Sequence, residues 1–145
     1  MRLRHLCFFL LLFCSSNAFS QQSAEIARVE FNSGTRAYRE QLIVTKDSLS
    51  VIKEDFRVDD RPQIIRRPTT AREWKSVLSS LSKVRLSEID NLESPTKNRE
   101  IDAAAHGSII ITTSDGQSFT HGFDDENPHK SFHGLMSCIR KLRKE

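Results

Sequence analysis

The sequence predicts an α+β domain, with an antiparallel sheet of about five to six strands and two amphipathic helices on one face. Three observations predict this class. Short turn signals separate successive alternating or β-branched stretches, which makes neighbouring strands antiparallel. Two further stretches carry apolar residues at helical spacing. Each of these follows a group of strands rather than a single strand, which favours α+β over α/β.

The N-terminal segment has the features of a secretory signal peptide. Two arginines precede the apolar run 6–13, and small residues follow it up to Ser20. The apolar run is too short for a membrane span, and no other stretch is long and apolar enough for one. Cleavage after Ala18 or after Ser20 would satisfy the small-residue rule. We expect cleavage after Ser20, so that residues 1–20 are the signal peptide. Residues 21–145 then form a single domain in the periplasm or outside the cell.

The cysteines agree with export and predict no internal crosslink. Cys7 and Cys14 fall within the signal peptide, which leaves Cys138 alone in the mature chain. An intramolecular disulfide is therefore not expected, although the compartment would permit one. Phe13 stands where a lipoprotein signal requires a small residue, so lipid anchoring at Cys14 is not expected. Cys138 is predicted to be a partly buried thiol, with an intermolecular disulfide as the alternative.

The charge balance limits the classes of partner. The chain carries 22 Lys+Arg and 19 Asp+Glu, which argues against a nucleic-acid binder held by phosphate contacts. Its C-terminus is basic, and cations at the end of a helix are favoured by the helix dipole. The alternative is peripheral contact with an anionic surface through the terminal cations, which are Arg140, Lys141, Arg143 and Lys144.

The first half of the domain predicts three strands and an edge segment. Apolar residues alternate with polar ones over 27–31, 36–45 and 49–54, with turn signals between them. Pro62 and Pro68 then bracket the apolar pair at 64–65. Because prolines are poorly tolerated in a central strand, this segment is predicted to be a short strand or an extended edge segment.

The first helix is predicted to begin at a capping box. Thr70 accepts from the helix start and Glu73 reaches back to it. Apolar residues then follow at helical spacing: Trp74, Val77, Leu78 and Leu81. Trp74 is predicted to anchor the core rather than to bind a ligand. The stretch 85–99 is predicted to be a packed connector.

The stretches 108–113 and 117–123 predict a hairpin around an Asp-Gly turn. A two-residue loop would divide its apolar side chains between the two faces of the sheet. A three-residue loop, 114–116 with Gly116 left-handed, places Ile109 opposite His121. We favour this register because it gathers four apolar residues on one face: Ile109, Ile111, Phe119 and Phe123.

A second helix is predicted to cover that face. Asn127 is expected to cap it and Pro128 to be its first residue. The acidic residues 124–126 then lie where the helix dipole favours negative charge. The apolar stripe of this helix has five members: Phe132, Leu135, Met136, Ile139 and Leu142.

Short motifs are scattered through the second half of the chain: Glu73-Trp74 with Leu78 and Leu81, Asn91 to Thr96, Asp102 to Ala104, Asp115-Gly116, and Phe123-Asp124 before Asn127-Pro128. Together they resemble a group of uncharacterised exported small-domain proteins of Bacteroidota-type bacteria. The resemblance implies an exported single domain, and it implies no activity, cofactor or site residue. His129 departs from the pattern, in which a second proline is expected.

The densest group of chemically active side chains lies at 121–133. On a helix, His129 and His133 would present two imidazoles to one metal ion, and His121 and the acidic loop would add ligands. Lys130 stands where a metalloprotease motif would have glutamate. The candidate metal residues are therefore His121, His129 and His133, for zinc or another divalent metal. The spacing of Asp102 and His106 would suit a pair that orients a base, but no nucleophile accompanies them. Asp102 is therefore interpreted as a turn residue that opens the hairpin unit.

These observations favour a non-catalytic domain of the cell envelope, with a protein-binding or structural role. Its expected partner is an unidentified envelope protein. Contact is expected along the strand Pro62–Pro68 or the charged loop before it. The alternative is a metal-binding protein that uses the three histidines.

Overall fold

The computed structural model describes residues 25–98 and 104–144, without the side chains of residues 59 and 60. The expected signal peptide, Cys14 and Asp102 lie outside the described residues. Within these ranges the strands are β1 (Ile26–Gly34), β2 (Tyr38–Thr45), β3 (Ser48–Asp55), β4 (Asp59–Pro68), β5 (His106–Thr113) and β6 (Ser118–Asp124). The helices are α1 (Ala71–Leu81) and α2 (His133–Leu142), and Leu86–Asn91 and Lys130–Phe132 form 3₁₀ segments.

The strands form one antiparallel sheet in the order β4-β3-β2-β1-β5-β6. The first four make a meander, and the chain then returns to add β5 on the other side of β1. β6 pairs with β5 and lies at the far side of the sheet. The predicted α+β class and strand number are therefore confirmed for the described residues, and the edge strands are β4 and β6.

Buried and less buried side chains alternate along the strands, because successive side chains of a strand point to opposite faces. We call the face that carries the buried apolar residues the core face: Val29, Phe31, Leu42, Val44, Leu49, Val51, Ile109, Ile111 and Phe123. We call the other face the polar face. At its centre the Glu30 carboxylate accepts hydrogen bonds from the side-chain amides of Asn32 (3.1 Å) and Gln41 (2.9 Å).

The core joins the sheet to both helices. α1 contributes Trp74, Val77 and Leu81, and α2 contributes Leu135, Met136, Ile139 and Leu142. The predicted burial of Trp74 and of the α2 stripe is thereby confirmed. The placement of both helices on one face of the sheet stays a prediction. None of the helices in the described ranges has the length and apolar character that a membrane crossing requires.

The β5–β6 hairpin has the predicted register. Ile109 lies opposite His121 and Ile111 lies opposite Phe119. Gly116 has a φ of 87°, the left-handed value that the three-residue loop requires. The backbone N–H of Thr113 donates to the carbonyl of Gln117 (2.9 Å) and closes this loop.

The capping box at the start of α1 is also confirmed. The Thr70 hydroxyl accepts from the N–H of Glu73 (3.2 Å), and the Glu73 carboxylate accepts from the N–H of Thr70 (2.7 Å). Arg67 of β4 adds two hydrogen bonds to the same carboxylate, at 2.7 and 3.1 Å. These bonds from Arg67, followed by those from Thr70, lower the pKa of Glu73 to about 2. The cap therefore ties α1 to the edge strand β4.

The predicted start of the second helix is wrong. α2 begins at His133, after the separate 3₁₀ segment Lys130–Phe132. Asn127 is not its cap, since this residue forms an isolated bridge with Asp124. The acidic residues 124–126 belong to a tight turn rather than to a helix start, so the helix dipole does not explain them.

Candidate functional site

His121, the first of the predicted metal ligands, lies inside the core, with 1% of its surface exposed. Its ring stacks on Phe132 at a centroid distance of 5.2 Å and on Phe123 at 5.8 Å. Its Nε2 accepts a hydrogen bond from the backbone N–H of His129 (3.0 Å). The imidazole therefore bridges β6 and the segment that precedes α2.

The spacing of the other two predicted ligands suggested that they lie on consecutive turns of one helix, and this prediction is wrong. His129 is half-buried ahead of the 3₁₀ segment, and its Nδ1 lies 3.0 Å from the hydroxyl of Ser131. His133 is exposed on the first turn of α2. Across residues 25–98 and 104–144, the structure brings no three His, Cys, Asp or Glu side chains together as a group that could hold a metal ion.

The turn at residues 124–127 has an unusual backbone. Asp125 and Glu126 have φ values of 50° and 52°, in the left-handed region that side chains other than glycine rarely adopt. The N–H of Asn127 donates to the carbonyl of Asp124 (2.8 Å) and closes the turn. Strain of this kind persists only where surrounding contacts hold it.

Those contacts come from the connector and from α2. Side chains of the connector donate to the turn: Thr96 to Asp124 (2.9 Å) and Asn98 to Asp125 (2.7 Å). From the end of α2, Arg143 donates two hydrogen bonds to the Glu126 carboxylate, at 2.8 and 3.2 Å. Its hydrogen bonds lower the pKa of Glu126.

Arg143 also neutralises an acid inside the fold. Its guanidinium donates to Glu40 (2.9 Å), a residue of β2 with 4% exposure, and lies 5.4 Å from the centre of the Phe31 ring. Arg143 is therefore part of an internal ion-pair group, whereas Arg140, Lys141 and Lys144 are exposed. Sequence reasoning missed Glu40. Its position in β2, on the face that also carries Leu42, was the available signal.

An open groove of about 690 Å³ lies beside the turn, between the stretch 91–95 and the residues around Pro128 and His133. It brings together two of the motifs on which the resemblance rests. Its lining mixes prolines, asparagines, Glu93 and Lys130 with two of the predicted metal ligands, His129 and His133, and so indicates no single class of ligand.

Two other candidates from the sequence stay apart from this groove. His106 is exposed at the start of β5, where it pairs in register with Asp124. Cys138 is partly buried, as predicted, with its Sγ 3.3 Å from the hydroxyl of Ser76. Asp102, the predicted partner of His106, lies outside the described residues.

The two edges of the sheet differ in how they are covered. At β6, the carboxylate of Asp90 accepts a hydrogen bond from the N–H of Thr120 (2.6 Å). Asp90 belongs to the 3₁₀ segment Leu86–Asn91. At β4, the N–H of Thr69, just after the strand, turns inward and donates to Asp47 (3.2 Å). β4 pairs with β3 on one side only. Unpaired strand edges attract other strands, and proteins usually blunt them.

The prolines of β4 show which backbone groups face outward. Along a strand the N–H groups of alternate residues point to opposite sides. Since the N–H of Thr69 points to β3, those of residues 63, 65 and 67 do also. The backbone N–H groups of the even positions then point outward. This agrees with prolines at 62 and 68, because proline has no N–H to donate to a ladder. Ile64 and Arg66 are the outward N–H donors between them.

The β3–β4 hairpin carries the exposed apolar surface of the described residues. The large apolar side chains that are exposed there are Phe56 (48%), Val58 (83%), Ile64 (49%) and Ile65 (46%). Ile64 pairs with Ile52 on the polar face, and Ile65 pairs with Val51 on the core face. We call the segment Pro62–Pro68 the docking edge, since it combines outward backbone groups with apolar side chains on both faces.

The docking edge itself carries cations and no acid, although two aspartates precede it at positions 59 and 60. From residue 61 to residue 68 the chain has three arginines and no acidic residue. Arg67 is bound by Glu73, while Arg66 is exposed on the polar face. Beside Gln63 a pocket of about 250 Å³ is lined by Tyr38, Lys53, Asp55, Val58, Arg61 and Gln63.

Comparison with known proteins identifies no relative, because no protein-family model and no curated protein matches the chain. The interpretation of the site therefore depends on its own geometry.

Proposed function

We propose that the protein is a non-catalytic binding module of the cell envelope, and that its docking edge takes up an extended segment of another envelope protein. The observation that carries this proposal is the contrast between the two edges of the sheet. On β6 the outward N–H of Thr120 is bound by Asp90, and none of the exposed large apolar side chains of the described residues lies on this strand. β4 instead presents outward donors and two exposed isoleucines. Strand addition at an exposed edge is a recurrent mode of peptide recognition.

The charge of the docking edge favours an acidic partner segment. Arg66 is exposed beside Ile64, and no acidic residue lies between positions 61 and 68. A second copy of this chain would bring arginines and no acidic residue between positions 62 and 68, so its own docking edge offers Arg66 no opposite charge. An extended segment with acidic residues near its apolar ones offers the complementary charge.

Export is part of the same proposal. The apolar run 6–13 behind two arginines supports a cleaved signal peptide. Intact-mass measurement of the protein recovered from its host tests this part. We expect an N-terminus at Gln21, whereas a retained Met1 would contradict export by this route.

A proline at position 64 separates docking from folding. Ile64→Pro removes an outward N–H and leaves the hydrogen bonds to β3 in place, so the melting temperature should change little. Random peptides are selected by display against the wild type and then titrated against both proteins. We expect the selected peptides to bind the wild type at least about tenfold more tightly than Ile64→Pro.

The matched control for this experiment is Lys130→Ala, an exposed change away from β4 that should leave the peptide affinity unaltered. Selected peptides that bind Ile64→Pro as tightly as the wild type would overturn the proposal, and so would a selection that enriches no peptide.

A further inference from the structure

We infer that the docking edge recognises a four-residue extended motif with the pattern acidic, apolar, apolar, acidic, docked antiparallel to β4. This inference rests on the proposed function, because it names the chemistry of the segment that the docking edge takes up. It follows from the direction of the backbone groups, the faces of the side chains and the position of two cationic groups.

The prolines set the register. Only Ile64 and Arg66 offer outward N–H groups between Pro62 and Pro68, so a docked strand makes full hydrogen-bonded pairs at these two positions alone. The described pairs of the sheet are antiparallel, and antiparallel pairing is slightly more stable per residue than parallel pairing. An antiparallel strand then places its first motif residue opposite Arg66 and its third opposite Ile64.

The faces of the edge set the apolar positions. The third motif residue lies beside Ile64 on the polar face, where Ile52 is the next side chain inward. The second motif residue lies opposite Ile65 on the core face, next to Val51. Directly opposite side chains of paired strands lie close enough to pack, so apolar residues at these two positions cover both exposed isoleucines.

The cations set the acidic positions. The first motif residue lies opposite Arg66, which is exposed and on the same face. The fourth lies opposite Gln63 on the core face, beside the pocket that contains Lys53 and Arg61. The acid of that pocket, Asp55, is bound by Arg57 at 2.9 and 3.0 Å. Lys53 lies 3.7 Å from Glu40, a carboxylate that Arg143 also binds at 2.9 Å. A carboxylate at the first position therefore meets Arg66, and one at the fourth position lies beside Lys53.

Backbone methylation tests the register. The probe is a synthetic peptide with the sequence Glu-Val-Val-Glu between short Gly-Ser flanks, titrated into the whole mature protein. N-methylation of the first or third motif residue blocks a hydrogen bond to β4 and should weaken binding at least about tenfold. The N–H groups of the second and fourth residues point away from β4. N-methylation at either position should therefore change the affinity less than about threefold.

Charge exchange tests the pattern. Arg66→Glu should weaken binding of this peptide about tenfold or more, and a peptide with lysine at the first position should restore it. Lys130→Glu is the control for a change of net charge at a distance and should have no such effect. Failure of the lysine peptide to rescue Arg66→Glu would overturn the acidic assignment.

The outcomes for the motif and for the module are distinguishable. Peptides that need an intact Ile64 but follow another pattern or another methylation register would overturn the motif and leave the binding module standing. If no peptide binds the wild type more tightly than Ile64→Pro, both the motif and the binding module are overturned. A dimer in sedimentation that Ile64→Pro disrupts would give the edge to a second copy of the chain and would also overturn the acidic motif.

Discussion

At the scale of single residues, the histidine with the strongest apparent chemistry has a structural position. His121 faces the core because it is two residues from both Phe119 and Phe123 and so lies on the same face of β6 as they do. Its ring accepts the N–H of His129 and packs between two phenylalanines. A metal ion that used Nε2 of His121 would have to replace that hydrogen bond inside the core.

We expect His121→Ala to lower the free energy of unfolding by about 2–4 kcal/mol, because it leaves a cavity and an unpaired backbone N–H at His129. Urea denaturation measures this change. The control is His106→Ala, an exposed substitution that should alter stability by no more than about 0.5 kcal/mol. Equal effects of the two substitutions would contradict the structural role of His121.

Arg143 gives a second prediction at this scale. Arg143→Met keeps the apolar stem near Phe31 but removes the main partner of the buried Glu40, and we expect a loss of about 2–4 kcal/mol. Combining it with Glu40→Gln should recover part of that loss, since it removes a buried charge whose remaining cationic partner, Lys53, is 3.7 Å away. Thermal or urea unfolding of the double-mutant cycle measures the coupling, with Lys144→Met as the control. Additive effects would show that Glu40 and Arg143 do not interact.

At the scale of elements, hydrogen bonds to side chains decide where helices begin. α1 begins where the sequence predicts, since the groups of its cap lie three residues apart in the chain. α2 begins later than predicted because the N–H of His129 is bound by His121, and Glu126 is bound by Arg143. The capping box is a local pattern, whereas both of these contacts are distant in sequence.

The cap of α1 should make stability depend on pH. Glu73 has a folded pKa of about 2, below its usual 4.5. Its contribution is therefore present above pH 4.5 and is lost as the pH falls toward 2. Because the pair with Arg67 is partly exposed, we expect a contribution of about 1–2 kcal/mol at neutral pH.

Urea denaturation between pH 2 and 7 measures this dependence. Glu73→Gln should be less stable than the wild type at neutral pH and should approach it in acid. Glu88→Gln is the control, because Glu88 pairs with Arg85 in an exposed position on the surface. A constant difference between wild type and Glu73→Gln over the whole range would contradict the cap as a source of acid sensitivity.

At the scale of the whole molecule, the sheet was largely predictable and the site only in part. Alternation and turn residues fix the strands, and the single left-handed Gly116 fixes the β5–β6 register. The pair of prolines at 62 and 68 indicates an edge strand. The sequence could not show that Asp90 covers the opposite edge, since this contact joins residues 30 positions apart. The difference between the two edges emerges only from the assembled fold.

That difference should appear directly in amide hydrogen exchange. The N–H groups of Ile64 and Arg66 point outward from β4, whereas that of Ile65 points to β3. We therefore expect fast exchange at positions 64 and 66 and slow exchange at 65, since exchange requires an N–H to leave its hydrogen bond.

On β6 the amide of Thr120 should also exchange slowly, because Asp90 accepts its hydrogen bond at 2.6 Å. Asp90→Ala should make Thr120 exchange quickly without affecting Ile65, and nuclear magnetic resonance resolves each amide. Slow exchange at 64 and 66 in the monomeric protein would mean that β4 is already covered, and the docking edge would lose its basis.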